Sequence, residues 1–506
     1  MIKLNDNSEY IFNNNFDFCV GTGRMGLALQ KEYMDQLALV QEKIGFKHIR
    51  GHGLFNRDMS IYQEFRNEDG SIEVEYNFTY LDMVFDNYLK LNIEPFIEFG
   101  FMPDKLASGE QSVFFWNGNV TPPTDYGKWC DLIQAVLTHL IERYGLKRVL
   151  TWPLEVWNEP NLKVFWKDAD MNEYFKLFEL TFKAIKEVNP NFKVGGPAVC
   201  GGSDEVWITA FMNFCEERNL DIDFVTRHHY TTELPRRDGH YGYPPLSKAE
   251  DGFSNLHTTR DIIDSHERYK GLPIHITEYN TSYIPNAPLH DTTKNAAYLA
   301  HQLSRLGDDN ESYSYWTFGD IFEEWGVPFS VFHGGFGLVA NGLIPKPTFW
   351  TFTYYKKLLG GKCIYKDDNS VVLRMPDGSL RGVLWNYTLY GDGDEKVFEL
   401  EVPSCEGVYS VITSEVNEEH ANPLKVWHHM GEPKGLTDEQ KEILRTAAVP
   451  FIGSSEVTSE NGCCVLKFTV PKDAVTYFEF KKLDRVSDRG YDYKRVISGD
   501  KPDEEN

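Results

Sequence analysis

From residue 16 to about 340, short apolar runs alternate with longer stretches in which apolar residues return every three or four positions. The first pattern reads as buried strands and the second as amphipathic helices. Strands are predicted at Phe16–Val20, His48–Gly53, Glu94–Gly100, Leu154–Glu159, Lys193–Ala198, Asp223–Tyr230, Ile274–Glu278 and Ser314–Asp320. Helices predicted between them include Met34–Lys43, Leu132–Tyr144, Asn172–Glu187 and Thr293–Arg305. Eight strands with intervening helices predict an α/β fold, a (β/α)8 TIM barrel over residues 16–345. A doubly wound open sheet is the competing arrangement. Gly21-Thr-Gly-Arg-Met-Gly26 has the glycine spacing of a dinucleotide turn after a strand. The second strand, however, ends in Arg50-Gly-His52-Gly and not in the acidic residue a ribose requires. The glycines are therefore expected to form a tight loop at the barrel mouth.

Past Pro345 the texture changes. A helix is predicted at Thr348–Leu359, followed by alternating short segments broken by turn residues. In Met375-Pro-Asp-Gly378, proline sets one dihedral and glycine supplies a positive one, so a turn is expected. Further strand-like segments at Lys396–Val402, Tyr409–Thr413, Gly462–Val470 and Val475–Lys481 predict an appended C-terminal β-sandwich over 346–483. A helix at 437–448 interrupts it, with Thr437 and Gln440 spaced as a capping box. The N-terminal segment 1–15 is expected to pair with the sandwich through Glu9–Asn13, and residues 484–506 to form a polar arm.

Composition narrows the function classes. A hydrophobic fraction of 41% in 506 residues supports a large core. The formal net charge of -25 argues against nucleic acid or an anionic membrane as partner. No apolar run reaches membrane-spanning length, and the first residues lack the apolar stretch of a signal peptide. Eight cysteines show no paired spacing, which suits a reducing cytoplasm and indicates neither a disulfide framework nor a zinc site. Aromatic residues make up 14%, a composition suited to stacking on sugar faces. The sequence is compatible with a homo-oligomer.

Two apolar strands end in a carboxylate. Leu154-Glu-Val-Trp-Asn-Glu159 stops at Pro160, which is expected to hold Glu159 extended, and Ile274-His-Ile-Thr-Glu278 is followed by Tyr279-Asn280. A buried carboxylate is costly unless it is paired or working, and strand ends are where barrel enzymes keep their chemistry. On the fourth and seventh strands of a closed barrel, Glu159 and Glu278 face one another across the mouth. A facing pair is what glycoside cleavage requires: one protonates the leaving oxygen and the other stabilises or attacks the anomeric carbon. Glu159 is expected to be the acid, raised by a dry setting and by its partner, and Glu278 to stay ionised on tyrosine or arginine donors. Asn158 is placed to meet a substrate hydroxyl. No His-Glu-x-x-His or clustered ligand spacing is present, so neither metal nor cofactor is expected.

Trp157-Asn-Glu-Pro-Asn161 with Ile276-Thr-Glu-Tyr-Asn280 resembles glycoside hydrolase clan A. Arg50-Gly-His-Gly-Leu54, Thr226-Arg-His-His-Tyr230 and Tyr315-Trp-Thr-Phe-Gly-Asp320 with Phe322-Glu-Glu324 narrow the resemblance to family 39 and its bacterial β-xylosidases. The resemblance implies a retaining mechanism with Glu159 as acid/base and Glu278 as nucleophile. It places His52, Asn158, His228, Tyr230, Tyr283 and Glu323 around the terminal sugar, with Trp316 as a platform. Some relatives carry a small residue at position 229, which leaves open which histidine faces the pocket. Phe114-Phe115-Trp116 and Trp325 are candidates for a second sugar subsite, and Glu324 for an additional contact. The family also contains α-L-iduronidases. Glu323-Glu324 would repel a uronate and accept hydroxyl hydrogen bonds, so a neutral pentose is the expected sugar, carried on a small oligosaccharide. A non-catalytic sugar-binding barrel would be expected to lack one of the two glutamates.

Overall fold

The computed structural model describes residues 1–13, 15–484 and 493–498. Nine parallel strand segments form one sheet whose two margins, Glu94–Pro95 and Ile97–Phe99, are consecutive pieces of a single strand divided at Phe96. Pro95 pairs with Ile49 on one side and Ile97 with Leu154 on the other, so the sheet closes on itself as an eight-stranded barrel. A helix follows each strand: Lys31–Lys43, Thr79–Lys90, Tyr126–Tyr144, Met171–Val188, Asp204–Glu217, Ala249–Asp264, Thr293–Ser304 and Pro347–Lys356. Several begin at side chains that satisfy the free N–H groups of the first turn. Asp125 accepts from Gly127 and Lys128, Asp170 from Asn172 and Glu173, and Thr292 from Asn295.

The first strand runs Cys19–Arg24, not Phe16–Val20, and a short 3-10 turn occupies Asn15–Asp17. Gly21 and Gly23 thus lie within the strand instead of forming a loop. Gly21 is required by space: a Cβ there would come within 2.3 Å of the Trp316 ring. The helix Pro347–Lys356 belongs to the barrel and not to the C-terminal half, so the architectural break falls after it and not at 345. Phe352 packs its ring on Phe16, Phe46 and Tyr315, while Thr351 Oγ1 donates to Ala296 O in the preceding helix. Both of these last helices are buried nearly all round, because a second sheet covers their outer side.

That sheet has six antiparallel strands in the order Lys362–Lys366, Ser370–Arg374, Leu380–Asn386, Ala474–Lys482, Val408–Val416 and Phe451–Thr458. The Met375–Gly378 turn joins two of them, with Gly378 at φ +83°. A three-stranded sheet of Ile2–Lys3, Lys396–Pro403 and Cys463–Val470 shares with it a cluster that includes Val372, Leu384, Phe478, Leu400 and Leu466. The N-terminal segment therefore pairs through Ile2–Lys3, not through Glu9–Asn13, which makes no ladder; Tyr10 N donates singly to Cys363 O. Asp438–Ala447 is a helix with the Thr437/Gln440 capping box in place. Its Leu444 packs with Trp427, Phe332 and Ile344 beside the barrel mouth. Of the predicted polar arm, 485–492 and 499–506 lie outside the described residues, and Tyr493–Ser498 forms a short helix.

Candidate active site

Alternation along the second strand sends Arg50 and His52 into the barrel, where both are buried. Glu98 and Glu155 enter from the third and fourth strands at paired positions. The seventh strand carries one extra residue relative to both neighbours: Ile276 and Glu278 oppose the consecutive Arg227 and His228, and Ile276 and Tyr279 oppose Tyr313 and Tyr315. Such a bulge re-aims side chains. It lets the consecutive Thr277 and Glu278 both reach inward, Thr277 Oγ1 donating to Glu155 at 2.9 Å and Glu278 receiving Arg50 Nη1 at 2.8 Å.

Arg50 organises this layer. Its Nε donates to Glu155 at 2.6 Å and its Nη2 to Asn158 Oδ1 at 3.0 Å, in addition to the bond to Glu278. Asn158 is thereby held with its amide N–H groups free for the cavity. Glu278 receives a further bond from Tyr230 Oη at 2.8 Å, and His52 Nε2 stands 3.3 Å away.

Glu159 is not extended. Its φ is +42°, in the left-handed region, and Trp157 has φ +72°. Backbone bonds beyond the ends of the ladders impose this: Trp157 N donates to Phe99 O and Glu159 N to Ala198 O, one neighbouring strand on each side. Conformations of this kind persist where the surroundings over-determine them, and active sites are a common place. Glu159 Oε1 lies 2.8 Å from His228 Nδ1.

A cavity of about 830 Å³ opens above this layer. His52, Asn158, Glu159, Tyr230, Glu278, Tyr283, Trp316 and Glu324 all line it, joined by Phe114, Phe165, Trp325 and Phe336. Four expected residues do not line it. Glu323 does not line it but is bound by Arg24 at 2.8 Å, an arginine also paired with Asp58. The neighbouring Glu324 turns inward in its place. Phe115 is 61% exposed, and its backbone N–H serves Glu324 O instead. Trp116 packs against Phe101 and Phe114, so Phe114 is the ring of this segment that reaches the cavity. His228 is wholly buried beneath the two glutamates and does not line the cavity. His229 points to the other side of its strand, against Gln302, where it borders an outer arm of the same space.

The two glutamates differ electrostatically. Burial, the Glu278 charge and Glu98 push the Glu159 carboxyl well above the usual range against the pull of Arg50. Burial also raises Glu278, but Arg50, His52 and the Tyr230 hydroxyl oppose that rise directly. One proton shared by the pair therefore belongs on Glu159. Burial and both glutamates hold Glu324 well above the usual range as well.

The model for "Glycosyl hydrolases family 39" matches residues 1–464. The chain belongs to this family. A β-xylosidase of Geobacillus stearothermophilus is 49% identical, over 99% of this chain and 98% of the relative. A β-xylosidase of Caldicellulosiruptor saccharolyticus is 36% identical, over 85% of this chain and 87% of its own length. Among solved structures, a monomeric β-xylosidase from Caulobacter crescentus CB15 superposes with a TM-score of 0.85 at 30% identity, covering 95% of this chain and 99% of that one.

Within this family 39 site, ligand atoms of Glu159, His228 and Glu278 lie within 4.8 Å of one another, the spacing of a small cation site. Those donors are already engaged: His228 Nδ1 with Glu159, and the Glu278 oxygens with Arg50 and Tyr230. Arg50 supplies the positive charge a metal would bring. Among the described residues no helix is long and apolar enough to cross a membrane. The sequence reading gave no role to Glu98, Glu155 or Thr277. The rule that singled out Glu159, a carboxylate that ends an apolar strand, passes over Ile97-Glu-Phe99 and Leu154-Glu-Val156, where the glutamate lies inside its strand.

Proposed function

We propose that this chain is a retaining, exo-acting β-xylosidase that releases xylose from the non-reducing end of xylo-oligosaccharides. The observation that carries this reading is the meeting of Glu159 and Glu278 across one cavity, with carboxylate oxygens within 4.8 Å. Carboxyl groups about 5–5.5 Å apart favour double displacement, whereas inversion needs about 6.5–9.5 Å to admit a water. Both full-length relatives reported above carry the name β-xylosidase.

In the first step Glu159 gives its proton to the glycosidic oxygen while a Glu278 oxygen attacks the anomeric carbon. The C–O bond to the leaving alcohol breaks and a glycosyl ester forms. In the second step ionised Glu159 takes a proton from water, the water oxygen attacks the same carbon, and Glu278 leaves as carboxylate. Asn158, His52, Tyr230, Tyr283 and Glu324 hold the sugar hydroxyls, and Trp316 supports the ring. His228 acts from beneath by orienting Glu159.

A neutral sugar is favoured over a uronate. Glu324 joins the two catalytic carboxyls at the wall, and the guanidinium that lines the cavity, Arg227, is paired with Asp204 at 2.9 Å. We read the barrel as the catalytic unit and the two C-terminal sheets as a β-sandwich that backs its last two helices. All eight cysteines are free thiols, which suits action in the cytoplasm on imported oligosaccharides. Parallel assays with nitrophenyl β-xyloside and nitrophenyl α-L-iduronide test the reading. Turnover of the xyloside with retention at the anomeric carbon, followed by NMR, is expected; turnover of the iduronide alone would overturn the substrate.

A further inference from the structure

His52 stands between two carboxyl groups. Its Nδ1 lies 2.8 Å from Glu98 Oε2 and its Nε2 3.3 Å from Glu278 Oε1. A neutral imidazole carries one N–H and one lone pair, so it serves two ionised carboxylates only as an imidazolium. The site disfavours an imidazolium: the ring is buried, and burial, against the pull of the Glu278 charge and aided by Arg50, takes His52 down to about 3. Keeping a ring lone pair from facing a carboxylate at either nitrogen then requires a proton on one of the two carboxyls. Glu278 is the poorer holder, since Arg50 and Tyr230 both donate to it.

Glu98 is the better holder on three geometric grounds. Arg50 spends its well-directed N–H bonds on Glu155, Glu278 and Asn158, and approaches Glu98 at 2.9 Å without a formed hydrogen bond. Glu98 Oε1 is buried with no donor, a far heavier cost for a carboxylate oxygen than for a carbonyl. One guanidinium already neutralises one charge of the pair it binds, and a third ionised carboxylate would add to the imbalance in a dry layer. The charged and titratable groups facing Glu98 are Arg50 and His52 from the second strand, Glu155 and Glu159 from the fourth, and Glu278 from the seventh.

We propose that Glu98 is a neutral carboxylic acid that positions His52, fixing the tautomer whose Nε2–H faces the nucleophile Glu278. The Glu98 hydroxyl donates to Nδ1, and the opposite ring edge then offers a donor to the nucleophile and to the sugar. When Glu98 ionises, the single imidazole proton moves from Nε2 to Nδ1 to serve the Glu98 carboxylate, and the Nε2 lone pair then faces the Glu278 carboxylate, which opposes glycosylation. Burial raises Glu98 to about 8, so the device works at neutral pH and fails above it. This inference rests on Glu278 being the nucleophile of the β-xylosidase reading.

The test compares wild type, Glu98→Gln and Glu98→Leu. With dinitrophenyl β-xyloside the leaving group needs no acid, so kcat/KM reports glycosylation free of the Glu159 proton. Wild type is expected to lose rate as pH rises through about 8. Glu98→Gln keeps a donor to Nδ1 and is expected to hold its neutral rate across that range, whereas Glu98→Leu falls at every pH by about 10-fold or more. In protein labelled with nitrogen-15 histidine, His52, assigned with His52→Gln, should show a lone-pair Nδ1 and a protonated Nε2 in wild type and in Glu98→Gln. A protonated Nδ1 at neutral pH, or an unchanged alkaline limb in Glu98→Gln, would overturn the proposal. Absence of any xyloside turnover by wild type would instead refute the functional reading, and the ring-nitrogen signals would still decide the tautomer.

Discussion

Glu159 and Glu278 are one residue type on two sides of one cavity, and the donors around each separate their roles. Glu278 meets a guanidinium and a phenol, while Glu159 meets a neutral histidine in a dry setting. Glu278→Ala is therefore expected to abolish glycosylation on every xyloside, a loss on the order of 10⁴-fold or more read from kcat/KM. Glu159→Ala is expected to keep its rate on dinitrophenyl β-xyloside up to ester formation, then stall. Azide should restore turnover because it attacks without a base, and a β-xylosyl azide product would identify it. Equal behaviour of both variants towards azide would reverse or void the assignment. The sequence showed these two glutamates because each ends an apolar strand. It did not separate Glu323 from Glu324, since adjacent identical residues are distinguished only by which one Arg24 captures. Glu98 and Glu155 escape that rule because they sit inside their strands, one layer deeper, where a carboxylate reads as an ordinary strand residue.

At the scale of elements, the alternation of patterns was enough to find eight strands and a barrel, since both faces of each strand are buried. Bulges were not legible. The extra residue at Thr277 leaves no mark in composition, yet without it Glu278 would face a different layer. The helix Pro347–Lys356 was misallocated because an all-round buried helix lacks the polar face that ties a barrel helix to its neighbours. Glycine at 21 was read as a turn residue because spacing alone does not distinguish freedom of φ from want of space. The structure makes it a matter of space, and that is testable. Gly21→Ala places a methyl within 2.3 Å of the Trp316 ring, which in turn packs on His52 at 4.7 Å. Overpacking of this kind costs about 1–3 kcal/mol, and the indole is expected to tilt towards the sugar position. A thermal scan should show the loss, and KM for nitrophenyl β-xyloside should rise more than kcat falls. An unchanged KM in a destabilised variant would detach Trp316 from sugar binding.

The whole molecule stores protons in opposing ways, and their balance sets its stability against pH. Histidines buried as neutral rings bind fewer protons folded than unfolded: His52, His229 and His275 are lowered to about 3, and His48 and His290 to about 4, from an ordinary 6.5. Between roughly pH 4 and 6.5 the unfolded chain takes up those protons, so stability rises with pH. The raised carboxyls act in the other sense. Glu98, raised to about 8, and Glu159 and Glu324, raised well above the usual range, bind more protons folded than unfolded above about 4.5. Their contribution is complete below the unfolded value and is lost as pH climbs through the folded one. In the lower window the two sets oppose one another; above 6.5 the lowered histidines no longer differ between states and the raised carboxyls remain. The melting temperature is therefore expected to decline from pH 6.5 towards pH 8, as followed by calorimetry at fixed ionic strength. Glu98→Gln should make the decline shallower and should also steepen the rise with pH between about 4.5 and 6.5, because it removes a group that holds an extra proton in the folded state across both windows and leaves every histidine in place. A melting temperature that stays level or climbs from 6.5 to 8 would mean that the raised carboxyls are ionised in the folded protein, and the acid assigned to Glu159 would then have no proton to give.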